Sequence, residues 1–372
     1  MSIFSDLLVL VLSSYLAFSN FLAQNLLELF NQASGPTASL ESTLKETKTI
    51  SEYRSLESNY QNNNSIPDIL LQNLDYQSAN IIESQITPNV GSEVADALVN
   101  IYCTYSTPEY QRITTGSGFF IDDDGVILTN AHVAQFLLLD NSSTITDVRC
   151  VVQSGSPALP LYEAKLLYIS PAWVQKNANQ IITDRPRGTG ERDYALLYIT
   201  NGLHNKPIPH SFKTLKLATD ELTVSIHNDT IAAAGYPAET IFKAADAGAN
   251  LVPRVATSSI SELMTYRTSL VDVLTISGSA IGEPGSSGGP IIKANGQVVG
   301  MISTRGDDAQ FGAGSLRALS IPYIARTYEE ETKTTFAQGL SGNLPGRAKV
   351  FKDTLTPILE LMLTQQLDKA TE

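Results

Sequence analysis

Basic residues are scarce in this chain. Lysine and arginine number 25 against 38 aspartates and glutamates, for a formal net charge of −13. Neutralising a phosphate backbone takes a basic patch. No lysine–arginine cluster supplies one, so nucleic acid is excluded as the main partner. Cysteine occurs only twice, as Cys103 and Cys150. Both fall in strand-like runs, and neither adjoins a histidine or a glycine-rich turn, so neither is read as catalytic. In an exported chain they would form one disulfide, worth ~3–4 kcal/mol for a loop of that length. Otherwise they pack as two buried thiols. Histidine is confined to His132, His204, His210 and His227. The last three lie in polar or Pro/Asn-rich turns, and nothing supplies the third and fourth ligands of a zinc site. Neither a metal nor a cofactor is expected. No internal repeat is legible.

What is present suits a globular protein. The chain has 372 residues, 42% of them apolar and 17% charged, enough for a sizeable core in one large or two ordinary domains. Residues 7–23 are mostly apolar. Yet Asp6 stands where an export signal is positive, the first basic residue is Lys45, and no small-residue cleavage site follows. The run is also at the short limit for spanning a bilayer. An uncleaved anchor, an export signal and a helix docked on the domain all remain open. The expected location is extracytoplasmic, secreted or membrane-anchored, with membrane attachment through residues 7–23. Oligomeric state is not readable.

Four units are expected. Residues 1–32 hold the apolar segment. Residues 33–89 form a polar spacer with short helices near 40–56 and 69–82. Residues 90–327 carry the chemistry, and 328–372 form a helical extension with an amphipathic helix over 351–367. Within 90–327, short β-prone runs occur at 99–103, 116–121, 126–129, 148–153, 162–169, 194–199, 231–236, 255–260, 273–277, 290–293, 297–303 and 316–321. Asp124-Gly125 and Asn295-Gly296 punctuate two hairpins. Three adjoining aspartates, Asp122 to Asp124, are read as a turn rather than a cation site, because no ligand spacing follows. Many short strands with such punctuation predict an all-β barrel or sandwich.

Chemistry concentrates in Gly282-Glu283-Pro284-Gly285-Ser286-Ser287-Gly288-Gly289-Pro290. Glycines let a backbone bend tightly and bring its N–H groups close to a ligand. A serine there can act as a nucleophile if an imidazole takes its proton and a carboxylate orients the imidazole. Thr129-Asn130-Ala131-His132-Val133 and Asp193-Tyr194-Ala195-Leu196-Leu197 offer those partners at strand borders. The order is His132, Asp193, Ser287. The G-x-S-x-G elbow of α/β-hydrolases is also matched, but that fold places histidine after serine, and no histidine follows Ser287.

Thr115-Gly116-Ser117-Gly118-Phe119, the His132, Asp193 and Ser287 segments, Ala234-Gly235-Tyr236-Pro237 and Leu319-Ser320-Ile321-Pro322 together resemble the trypsin-like (chymotrypsin-fold) serine proteases. The bacterial HtrA/Deg branch is the nearest match, over roughly residues 90–327. The resemblance implies two packed six-stranded β-barrels with a cleft between them. It implies His132 as general base then acid, Asp193 as its orienter and Ser287 as nucleophile. The N–H groups of Gly285 and Ser287 would form the oxyanion hole. Ser303, Thr304 and Arg305 would pair with substrate backbone, and Ile281 would floor the specificity pocket. An apolar floor favours small or medium apolar side chains over Lys or Arg. Arg305 is unusual there: it either narrows the pocket or meets an acidic side chain.

Two further departures stand out. Residues 327–372 are too few for the PDZ domain usual in that branch. Ser286 replaces the aspartate that trypsin-type zymogens use on activation. The expected activity is endopeptidase action on unfolded or extended polypeptides. The alternatives are a proteolytically silent, chaperone-like binder on the same fold and an esterase on the same barrel.

Overall fold

The computed structural model describes residues 88–106, 111–139, 146–182, 189–238, 251–266 and 269–371. The apolar stretch 7–23 and the spacer helices expected at 40–56 and 69–82 lie outside the described residues.

Helix α1 (Pro88–Ala97) leads into β1 (Leu98–Ser106), β2 (Gln111–Asp122) and β3 (Val126–Thr129). The short helix α2 (Ala131–Ala134) precedes β4 (Thr146–Ser154), β5 (Leu159–Ile169), α3 (Pro171–Asn177) and β6 (Ala195–Gly202). The second half holds β7 (Thr230–Gly235), β8 (Arg254–Met264), β9 (Val273–Ile276), β10 (Pro290–Lys293), β11 (Val298–Arg305), α4 (Asp308–Phe311) and β12 (Leu316–Ser320). Helices α5 (Ile321–Thr332), α6 (Phe336–Gly339), α7 (Leu344–Thr354) and α8 (Thr356–Thr371) follow.

The strands close into two antiparallel barrels, ordered β1-β2-β3-β6-β5-β4 and β7-β8-β9-β12-β11-β10. The second order is the first shifted by six. The chain therefore repeats in topology although no repeat is legible in its residues.

Side chains alternate faces along a strand, and here both faces are covered. In β2, Phe120 fills the first barrel while Phe119 joins a separate cluster between the barrels. In β3, Ile127 points into the first barrel, and Val126 and Leu128 join that second cluster. This is why Val126-Ile127-Leu128 is continuously apolar instead of alternating. The inter-barrel cluster also gathers Tyr194 from one side and Tyr236, Met301 and Leu319 from the other. Fully burying such a side chain contributes roughly 1.5–3 kcal/mol, so the seam is a core in its own right. The second barrel is filled by Ile231, Ile260, Leu274, Ile276, Ile291 and Ile302, among others.

Cys103 and Cys150 stand opposite each other in the β1–β4 ladder, with Cα atoms 4.0 Å apart and sulfurs bonded. The Asp122–Gly125 segment is a tight turn: Asp122 Oδ1 accepts from the Asp124 N–H at 3.0 Å, and Gly125 takes φ +96°.

The single helix expected over 351–367 is two helices, α7 and α8. Pro357, the second residue of α8, has no N–H to continue the α7 ladder and fits only a helix's first turn. Phe351 of α7 and Leu359, Leu363 and Leu367 of α8 all pack into the first barrel's core. Among the described residues, no helix is long and apolar enough to cross a membrane.

Candidate active site

β3 delivers its chain end to the seam, and α2 turns His132 back over β6. The backbone N–H of His132 donates to Asp193 Oδ1 at 2.9 Å, and its ring Nδ1 lies 2.8 Å from Asp193 Oδ2. A carboxylate only accepts, so Nδ1 carries the proton and Nε2 is left as the acceptor nitrogen. The carboxylate side chain is 4% exposed and the imidazole 38%. The acid is sealed while the ring faces solvent. Two more bonds fix the acid's place. Ser303 Oγ donates to Asp193 Oδ2 at 2.7 Å, and Asn130 Nδ2 donates to the Asp193 carbonyl at 2.8 Å. Gln135 Nε2 holds the His132 carbonyl at 3.0 Å.

The Ser287 turn lies on the second barrel, just before β10. Gly285 and Gly288 adopt φ +92° and +89°, a region that disfavours any side chain. Space forbids one too: a Cβ on Gly288 would sit 1.9 Å from the Ser117 carbonyl oxygen. The turn's amides divide in two. Those of Ser286, Gly288 and Gly289 donate to the carbonyls of Glu283, Ile302 and Ser286 at 3.2, 2.8 and 3.0 Å. Those of Gly285 and Ser287 have no acceptor among the described residues. The Pro284 carbonyl is held by the Ala238 N–H at 2.7 Å. In a trans peptide the C=O and the following N–H point in opposite directions, so that bond fixes where the Gly285 N–H points.

Ser117 of β2 ties this turn across the seam. Its Oγ donates to the Gly285 carbonyl at 2.7 Å and accepts from the Tyr236 N–H at 2.8 Å. Its own N–H donates to the Ser287 carbonyl at 2.7 Å. Ser287 Oγ donates to the Ser303 carbonyl at 3.4 Å rather than to the His132 ring. Ser303 thus touches the acid through its hydroxyl and the candidate nucleophile through its carbonyl.

The remaining expected residues are placed as follows. Ile281 is fully buried with the apolar cluster of the second barrel. Thr304 and Arg305 pair with Arg317 and Leu316 of β12. Arg305 meets an acidic side chain, forming an ion pair with Asp308. Asp308 in turn accepts from the Ser315 N–H and Oγ, both at 3.0 Å. Sequence reasoning assigns no such roles to the hydroxyls of Ser117 and Ser303 or to the amide of Asn130. Their only sequence signal is adjacency to the motifs, since their partners are remote along the chain. Burial pushes the phenols of Tyr194, Tyr266 and Tyr323, which surround the Asp193 segment, well above the usual tyrosine range. They remain neutral there.

A family model described as a trypsin-like peptidase domain matches residues 116–301. Solved structures similar to this chain include two of Rv3671c from Mycobacterium tuberculosis. The inactive form of a serine-to-alanine mutant is 20% identical, covering 69% of this chain and 97% of that one, with a TM-score of 0.41. The active form of the protease is also 20% identical, covering 72% and 93%, with a TM-score of 0.39. No curated protein matches the sequence.

Proposed function

Because this chain belongs to the trypsin-like peptidase family, we propose that it is a serine endopeptidase whose working groups are His132, Asp193 and Ser287. The observation that carries the reading is the Nδ1–carboxylate bond, with Ser303 linking that carboxylate to Ser287. The reading requires the Ser287 hydroxyl to turn from the Ser303 carbonyl toward Nε2. His132 Nε2 then takes the hydroxyl proton as Oγ bonds to the scissile carbonyl carbon. The carbonyl π pair moves to oxygen, and that oxyanion accepts from the N–H groups of Gly285 and Ser287. The imidazolium gives its proton to the leaving amine as the C–N bond breaks, leaving an acyl-enzyme. Water repeats the sequence, releasing the carboxylic acid and restoring Ser287.

The strand edge supports a reading of the substrate class. β10 begins only at Pro290, opposite Met301, while β12 continues beside Thr304 and Arg305. The 303–305 end of β11 therefore has a strand neighbour on one side only, among the described residues. An extended polypeptide can add there through its backbone, so unfolded or extended chains are the expected substrates. Ile281 lies within the second barrel's apolar cluster and the Asp308 carboxylate is taken up by Arg305, which supports cleavage after apolar residues rather than after Lys or Arg.

The test uses the full chain, casein and a fluorophosphonate probe. Cleavage by the wild type but not by Ser287→Ala, with the probe on Ser287, supports the reading. Equal cleavage by both proteins ends it. Casein binding without cleavage or labelling favours the silent binder.

A further inference from the structure

The geometry points to Arg192 and Glu331 as positioning residues for the acid, through which helix α5 holds Asp193 under the His132 ring. This rests on the assignment of Asp193 above, but it concerns what places that residue.

Arg192 directly precedes Asp193 and takes φ +59°, a left-handed backbone that a non-glycine residue keeps only when its surroundings hold it. Local turn bonds contribute, the Tyr194 N–H donating to the Arg192 carbonyl at 2.8 Å, and the rest of the hold comes from α5. The Arg192 N–H donates to the Tyr323 hydroxyl at 3.1 Å. Its guanidinium donates through Nη1 to Glu331 Oε1 at 2.8 Å and through Nη2 to Glu330 Oε2 at 2.9 Å. Nη1 also approaches the Thr327 carbonyl at 3.4 Å. Glu331 is 13% exposed and Arg192 23%, so solvent screens this pair weakly. The Glu331 carboxylate is further held by Ser170 Oγ at 2.9 Å and by the Tyr168 hydroxyl.

The residue after the acid is gripped by the same helix. Tyr194 is fully buried, and its hydroxyl accepts from Thr327 Oγ1 at 3.1 Å. Asp193 is thus the middle residue of three, and α5 binds both of its neighbours. The helix is itself anchored to the second barrel, where Arg326 pairs with the buried Asp272. Asp272 is also held by the Thr265 hydroxyl and the Tyr266 N–H. The acid belongs to the first barrel by sequence, yet both of its chain neighbours are gripped by a strut fastened to the second, which also carries Ser287. A planar, always-charged guanidinium with a forked set of donors suits such a strut.

Glu331→Gln keeps the shape and removes the charge. Arg192→Lys keeps the charge and removes the fork. Two readouts on the full-length protein separate positioning from bulk stability. One is the downfield proton resonance of the His132 ring N–H, which reports its bond to Asp193 without any turnover. The other is the rate of fluorophosphonate labelling per folded molecule. Displacement of the acid by about an ångström costs on the order of 10²-fold. We expect Glu331→Gln to label about 10–100-fold more slowly per folded molecule, with the resonance shifted or exchange-broadened, and Arg192→Lys to fall between it and wild type. An unchanged resonance and per-molecule rate in both variants, with only a lower melting temperature, overturns the proposal. A wild type that shows the resonance but never labels would instead sink the peptidase reading, and the resonance in the variants would still decide the positioning.

Discussion

Ser303 Oγ donates to Asp193 Oδ2 at 2.7 Å across the seam between the barrels. The acid sits in the first barrel's segment and the hydroxyl on β11 of the second. Together with the Ser117 hydroxyl's bonds to Gly285 and Tyr236, this bond ties the two halves at the place where chemistry is expected.

Ser303→Ala removes that donor and leaves the Ser303 carbonyl contact to Ser287 in place. A hydrogen bond to a charged, buried group is worth about 1.5–3 kcal/mol. The expected result is a drop of about 10–100-fold in kcat with KM little changed, measured by steady-state kinetics on casein-derived peptides. A change confined to KM would place Ser303 in substrate binding alone.

Asp193→Asn tests the tautomer. An amide can donate its N–H₂ to the ring and leave Nε2 holding the proton, so the imidazole can no longer accept from Ser287. Turnover should fall about 10⁴-fold with the fold retained. Circular dichroism and single-turnover labelling read the two properties separately.

Gly288→Ala should be costly for two independent reasons. The residue has φ +89°, and its new methyl would lie 1.9 Å from the Ser117 carbonyl oxygen. Left-handed backbone costs about 1–2 kcal/mol and overpacking about 1–3 kcal/mol. Urea titration should show a loss of roughly 2–5 kcal/mol. Gly296→Ala is the control, since it has positive φ but nothing within 4 Å.

Alkaline pH should unfold the protein through its buried phenols. Burial pushes Tyr236 up to about 12. The unfolded chain loses that proton near pH 10. A raised folded value means the contribution is complete below pH 10 and is lost as pH climbs from 10 toward 12. Denaturation midpoints should therefore fall steeply across that window, and Tyr236→Phe should make the fall shallower. Equal slopes for both proteins would count against it.

The strands were legible because apolar runs and Gly, Asn and Asp turns mark them locally. The segments around His132, Asp193 and Ser287 stood out for the same reason. What stayed hidden was pairing between distant residues. Nothing near Ser117 announces that its hydroxyl will meet Gly285, and nothing near Arg192 points to Glu331 on a helix 139 positions later. The break between α7 and α8 could have been read from Pro357 but was masked by apolar periodicity across it. The twofold repeat in strand order was invisible because topology constrains which positions are buried, not which residues fill them.

The Ser287 turn is fastened to the opposite barrel by Ser117 of β2, whose hydroxyl bonds to Gly285 and Tyr236 and whose backbone N–H donates to the Ser287 carbonyl. Groups drawn from two halves in this way stay aligned only while the joint between them holds. Mild heat or denaturant that merely slides one lobe against the other by a bond length would extinguish hydrolysis while both sheets still looked intact to a spectrometer.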